Sequence, residues 1–111
     1  NKYKNNEFNY DILVYVANWP AVRSNAWKSL LKARAIENMS YVVGVNRIGQ
    51  DSNEIKYNGN SRVYDFKGER MDDFMENMPR VQINNLDKNE LDSFRNKFPV
   101  LKDADDFNLL I

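Results

Sequence analysis

Two short clusters carry the side chains best suited to binding chemistry. Trp19, Pro20 and Arg23 follow the apolar run Asp11–Trp19, and Asn46 and Arg47 close a second apolar run. Loops at the carboxyl ends of strands are where sites form in α/β folds. Trp19 could wall a pocket there, and Arg23 could grip a carboxylate with its guanidinium fork. The plainer alternative makes Trp19 a core residue and Arg23 a solvated residue at the start of a helix. Asn46 and Arg47 could border the same cleft or simply hold the loop that follows. The chain has no cysteine and no histidine. That excludes a thiol nucleophile, a Cys/His zinc site, a disulfide framework and a Ser-His-Asp triad within these residues. Asp103, Asp105 and Asp106 lack the glycine and terminal glutamate of a calcium loop, so they read as a solvated acidic tail. Gly44, Gly49 and Gly59 do not make a phosphate loop. No cofactor is expected.

The elements that must position these groups are legible in outline. At 111 residues, with 42% hydrophobic and 13% aromatic side chains, the chain can form one small domain and is not expected to be disordered. A domain of this size buries only about two-thirds of its unfolded surface, so its stability margin is thin. Sixteen basic residues balance sixteen acidic ones. There is thus no basic field to attract nucleic acid or an anionic membrane. No apolar run approaches the roughly 18 residues needed to span a bilayer. No charged-then-apolar leader is visible and Asn1 is not an initiator methionine, so a cytoplasmic chain that begins partway through something larger is expected.

Residues 1–9 read as a polar loop. Asp11–Trp19 reads as a strand buried on both faces, ended by Pro20. A helix is expected over about 24–39 with Ser24 as N-cap. Its stripe runs Trp27, Leu30, Leu31, Arg34, Ala35 and Asn38. Arg34 is therefore expected to be buried and to bond Glu37, because an unpaired buried charge is costly. Tyr41–Ile48 is a second strand, 49–60 a loop and Ser61–Phe66 a third strand. Residues 69–78 suggest a strand or loop packed on something through Met71, Phe74, Met75 and Met78. Arg80–Asn84 alternates like a half-buried strand. Asp87 caps a helix over about 88–97, with Glu90 in capping-box position, and Pro99 stops it. The tail 100–111 is too apolar to be free and is expected to dock on a surface. The order β-α-β, then strands, then a helix, fits a parallel pair joined by a crossover helix.

Five runs in order resemble the nitrilase superfamily of carbon–nitrogen hydrolases. YDILVYVANWP (10–20) is similar to the strand after that family's nucleophile. LLKARAIEN (30–38) is similar to its helix, and YVVGVNRIG (41–49) to its next strand. YNGNSRVYDFKG (57–68) resembles a segment that often reads Y-x-G-D-S-x-V-x-D-P-x-G. FPVLKDADDF (98–107) looks like the tail of the omega-amidase branch. Asn60 replaces the usual aspartate and Phe66 the usual proline, which puts local loop geometry in question.

The resemblance implies an α/β fold, the C-terminal half of a four-layer α-β-β-α sandwich, with dimerisation through the helix layers. It implies hydrolysis of small omega-amido oxo-acid amides. A cysteine thiolate attacks the amide carbon, ammonia leaves, and water activated by a glutamate releases the acid, with a lysine stabilising the oxyanion. All three of those residues lie upstream of the matched region, so none is carried here. In that setting Trp19, Pro20, Arg23, Asn46 and Arg47 become the candidates to touch the substrate. Arg34, Glu37 and Asn38 become structural. The expected partners are the N-terminal half, a second copy and a small-molecule amide. Leu13, Val43 and Val45 are expected on the open inner face of the half-sandwich. The other class of reading is a non-catalytic assembly or binding module built on the same fold.

Overall fold

A computed structural model describes residues 1–110 of the 111. The first nine residues, expected as loop, fold into a small hairpin, β1 (Tyr3–Lys4) and β2 (Glu7–Phe8). Asn5 and Asn6 turn it at φ of 53° and 64°. Asparagine tolerates that left-handed region better than most side chains, and two such residues in a row suit a tight hairpin.

The framework is β3 (Ile12–Ala17), α1 (Ser24–Asn38) and β4 (Tyr41–Asn46), with β3 and β4 parallel in register from Ile12↔Tyr41 to Ala17↔Asn46. Two short strands, β5 (Ile48–Gln50) and β6 (Lys56–Asn58), pair antiparallel in a hairpin of their own where a loop is expected over 49–60, and Ile48, expected to end the second strand, opens β5 instead. β7 (Arg62–Tyr64) then lies antiparallel on β4, giving the sheet order β3-β4-β7. A long strap leads to α2 (Lys88–Lys97). This is a mixed α/β fold, as expected.

Two apolar clusters hold the layers. Trp27, Leu31 and Ala35 of α1 are buried on Val42 and Tyr64, with Leu13, Ala17 and Trp19 packed around them. Gly44 lies beneath the helix, where an added Cβ would stand 2.5 Å from Leu31 Cδ1 and 2.9 Å from Trp27 Cζ2. A hydrogen there lets α1 seat closely on the sheet. The second cluster is Tyr41, Phe66 and Leu91, bordered by Met71, Leu86 and Phe94, and it seats α2. Phe66 packs edge-on against Tyr41 at 5.3 Å. The turn beside it is closed by the Asp65 carboxylate, which accepts the Lys67 and Glu69 N–H groups.

Several expectations need correction. Ser24 is the first residue of α1 rather than its cap; the N-cap is Arg23, without a side-chain bond. A 3-10 turn over Ala21–Arg23 feeds the helix, and Arg23 N–H donates to the Pro20 carbonyl. Arg34 does bond Glu37, but on the surface, with the two side chains 40% and 54% exposed. The buried stripe of α1 is the narrower set Trp27, Leu31 and Ala35. Arg34 precedes Ala35 by one residue, about 100° round the helix, and so faces water. Asn38 donates back to the Arg34 carbonyl at 2.9 Å. Glu37→Ala should therefore lower stability by only about 0.2–0.5 kcal/mol, the usual worth of an exposed helical pair. A denaturant midpoint shifted by several times that would restore the buried reading.

Leu13 also points the other way from expectation. It packs with α1, because β3 alternates and its register places Leu13 beside Val42. The open face carries Val43 and Val45, as expected, with Ile12, Val14 and Val16 in place of Leu13; β3 is thus exposed on one face rather than buried on both. Arg80–Asn84 forms no strand. Its alternation is real but inverted: Val81 and Ile83 are 93% and 89% exposed. Asn84 and Gln82 turn inward to bond the Met71 carbonyl and the Asp73 N–H. The strap 69–78 is irregular and is pinned by buried Asp72. That carboxylate accepts the Val63 N–H at 2.8 Å, the Phe74 N–H, and two bonds from Arg70.

Asp87 caps α2 as read, accepting from the Asn89 and Glu90 N–H groups. After Phe98 a 3-10 turn over Val100–Asp103 sets the Lys102 ammonium 4.7 Å from the Tyr3 ring. Beyond it Phe107, Leu109 and Leu110 are exposed; Ile111, the end of the expected docking tail, lies outside the described residues. No helix of the described residues is long and apolar enough to cross a membrane.

Candidate functional site

The carboxyl ends of β3 and β4 are tied together by one side chain. Asn46, the last residue of β4, is buried. Its Oδ1 accepts the Trp19 N–H at 2.7 Å, and its Nδ2 donates to the Trp19 carbonyl at 3.0 Å and to the Gly59 carbonyl at 2.8 Å. Both amide hydrogens are thus committed to main chain. Asn46 joins the end of β3, the end of β4 and the turn before β7. Its own N–H donates to Ser61 Oγ.

Trp19 lies on the helix side of that junction. Its ring is 5.6 Å from Trp27, its indole N–H donates to the Arg23 carbonyl, and the Arg23 guanidinium sits 5.2 Å from its centroid. Pro20 opens the 3-10 turn that carries Arg23.

On the other side of the junction is an open groove of about 850 Å³. Val43, Val45, Asn46, Arg47, Met75 and Met78 are among its walls. Of the five residues singled out from the sequence, Asn46 and Arg47 line this groove, while Trp19, Pro20 and Arg23 sit together beside it. The acidic tail takes no part: Asp103, Asp105 and Asp106 are exposed. Among the described residues no group of three or more His, Cys, Asp or Glu is placed to hold a metal ion.

Residues that were not singled out hold the rest of the site. The Arg47 guanidinium stacks 4.5 Å from the Tyr57 ring, and the Tyr57 hydroxyl donates to Asp51 Oδ2 at 2.8 Å. Asp51 Oδ1 accepts the Asn53 and Ile55 N–H groups. The tyrosine bond, first of all, holds the Asp51 carboxyl below its ordinary value, and the same bond raises the Tyr57 hydroxyl. The sequence hint was Asp51 two residues before Asn53, the spacing of an Asx-turn.

Asn60 is the second omission. It is buried at φ of 57°, a backbone region asparagine accepts. Its Nδ2 donates to Ser24 Oγ and Glu76 Oε1, its Oδ1 accepts from Arg62 Nη2, and its carbonyl accepts the Trp27 indole N–H. An amide serves here as donor and acceptor at once, which an ionised aspartate could not do.

Comparison with known proteins identifies the family. The family model described as carbon-nitrogen hydrolase matches residues 2–96. The chain belongs to the carbon-nitrogen hydrolase family. Omega-amidase YafV of Yersinia enterocolitica is 43% identical over 105 residues, covering 95% of this chain and 41% of that protein. The 2-oxoglutaramate amidase of Paenarthrobacter nicotinovorans is 40% identical over 92 residues, covering 81% of this chain and 30% of the relative. A solved CN-hydrolase superfamily protein from Xanthomonas campestris superposes with a TM-score of 0.89 at 39% identity, covering 96% of this chain and 40% of that one. The resemblance to the omega-amidase branch of the nitrilase superfamily is thereby borne out. This carbon-nitrogen hydrolase chain spans about two-fifths of the length of the YafV relative.

Proposed function

We propose that the chain is the C-terminal part of an amidase that cleaves the terminal amide of small omega-amido oxo acids such as 2-oxoglutaramate. The observation that carries this reading is the 43% identity to an omega-amidase across 95% of the chain. The chemistry is the cysteine–glutamate–lysine route the resemblance implies, with all three residues in the upstream part. This part supplies the groove at the carboxyl ends of β3 and β4, with Asn46 and Arg47 in its wall and Trp19, Pro20 and Arg23 beside it. A substrate of this class carries a carboxylate, and the guanidinium groups of Arg23 and Arg47 are the cations set to receive it.

The same reading makes the molecule half of an α-β-β-α sandwich in a cytoplasmic homodimer. Ile12, Val14, Val16, Val45, Met75, Met78, Val81 and Ile83 are all exposed large apolar side chains, on the sheet face and the strap beside it. Contiguous apolar patches beyond a few hundred Å² are rare on soluble monomers. The upstream half covers this face, and the tail from residue 100 docks on the assembled protein. Expressed alone, the chain should self-associate. Sedimentation at micromolar concentration should show species heavier than 13.1 kDa, and a single monodisperse monomer with sharp cooperative unfolding would count against the half-sandwich.

The functional test is ammonia release from 2-oxoglutaramate by the full-length protein, with the acid product measured in equal amount. A folded full-length protein that releases none would favour a non-catalytic assembly module instead.

A further inference from the structure

We propose that Arg47 is the residue that selects a carboxylate-bearing substrate, and that Tyr57 and Asp51 are positioning residues that hold its guanidinium for that task. The proposal rests on the amidase reading above and assigns the anion to one of the two cations that reading leaves open.

Most arginines of the described chain are already occupied. Arg34, Arg70, Arg80 and Arg95 each have a carboxylate within 4.0 Å, and Arg62 is buried with its donors on the Ser61 carbonyl and Asn60 Oδ1. Arg23 and Arg47 have no carboxylate within that distance among the described residues. They differ in setting. Arg23 lies against Trp19, outside the groove walls, whereas Arg47 lines the groove.

Arg47 is also backed by a rigid support. Tyr57 is buried in β6, directly opposite Gly49 of β5 in the hairpin register. Gly49 stands at φ of 101°, and an added Cβ there would lie 4.0 Å from Arg47 Nη2. The guanidinium therefore passes over the Gly49–Tyr57 pair with the phenol ring beneath it. The ring cannot turn freely, because its hydroxyl is held by Asp51, whose other oxygen is fixed by two backbone N–H groups of the same loop. Stacking on the ring leaves the edge of the planar fork free, and that edge is what meets a carboxylate through two parallel hydrogen bonds. Since the fork is held before the ligand arrives, little rotamer freedom is lost on binding. A substrate without a carboxylate would leave this cation unpaired.

Steady-state kinetics of the full-length protein on 2-oxoglutaramate, with its dicarboxylate product 2-oxoglutarate as inhibitor, test the assignment. Arg47→Gln should raise KM about 10- to 100-fold, the loss expected for hydrogen bonds to a charged group, with kcat changed less than about twofold. The inhibition constant of 2-oxoglutarate should rise in parallel. Tyr57→Phe keeps the ring and loses the Asp51 bond, so KM should rise by a smaller factor. Tyr57→Leu removes the support and should approach Arg47→Gln. Arg34→Gln, on the outer surface of α1 and away from the groove, should leave KM nearly unchanged. Turnover by the wild-type protein with an unaltered KM in Arg47→Gln, or a loss confined to kcat, overturns the assignment of Arg47 and leaves the amidase reading standing. No turnover by the folded wild-type protein overturns both. Should Arg47→Gln fail to fold, Arg47→Lys keeps the charge without the fork; an unchanged KM in that variant likewise overturns the proposal.

Discussion

The isolated 111-residue chain is expected to release no ammonia from 2-oxoglutaramate. The proposed reaction forms an acyl-enzyme, and that step needs a thiolate the chain does not contain; it has no cysteine and no histidine. The hydroxyl nearest the groove cannot substitute. Ser61 Oγ accepts the Asn46 N–H and donates back to the Asn46 carbonyl, and no imidazole exists to take its proton. What remains is a set of walls able to bind and orient but not to attack. Enzymes typically accelerate their reactions by about 10⁶-fold or more, so the expected loss is complete on the scale of an assay. The check is ammonia measured against buffer, with the full-length protein as positive control. Release proportional to the concentration of the chain, free of full-length protein, would mean that a nucleophile has been overlooked.

Arg95→Ala is expected to destabilise the chain by about 3 kcal/mol or more, because two main-chain carbonyls and the Ser40 hydroxyl lose their donor at about 1–3 kcal/mol each, while the ion pair to the 40% exposed Asp11 adds little. Against a total stability of about 5–15 kcal/mol this approaches unfolding. Arg95 lies in the last turn of α2 and is almost wholly buried. Its guanidinium bonds Asp11 Oδ1 at 2.6 Å, the Met39 and Tyr10 carbonyls, and Ser40 Oγ, with the Phe8 ring 4.0 Å away. One side chain thus ties α2 to the start of β3, the end of α1 and the N-terminal hairpin. Leaving those acceptors without their donor is the costly part.

The pair also has a pH signature. Burial, the largest single influence, pushes the Asp11 carboxyl up, but the hydrogen bonds and charges of Arg95 and Lys88 together hold it below its ordinary value of 3.8. A carboxyl depressed in the folded state stabilises above its unfolded pKa and loses that contribution as pH falls through the folded one. The stability gap between the wild-type chain and Arg95→Ala should therefore be full near neutrality and narrow below about pH 4. Denaturation midpoints at several pH values would check it; a gap that widens on acidification would remove Asp11 from the account.

The sequence by itself determined a good deal of this protein. The apolar runs placed β3 and β4, the helical spacing between them placed α1, and Asp87 with Pro99 bounded α2. These are local signals: strand and helix periods and caps act within a few residues, so they survive without knowledge of what packs where. The ordered motifs likewise determined the family, and the missing cysteine determined that these residues lack the nucleophile. Tertiary structure alone decided which charges are buried. Helical spacing pointed to Arg34, yet the buried arginines are Arg62 and Arg95, and the partners of Arg95 are Tyr10, Asp11, Met39 and Ser40, some 55 to 85 residues away in sequence. It also decided the inversion of Arg80–Asn84, where the polar residues turn in to bond the strap, and the direction of Leu13, which follows from the strand register. The Asp51–Tyr57–Arg47 support was hidden for the same reason. A stack of a cation on a ring is visible only once β5 and β6 have paired, because pairing, rather than any property of the three residues alone, brings them together.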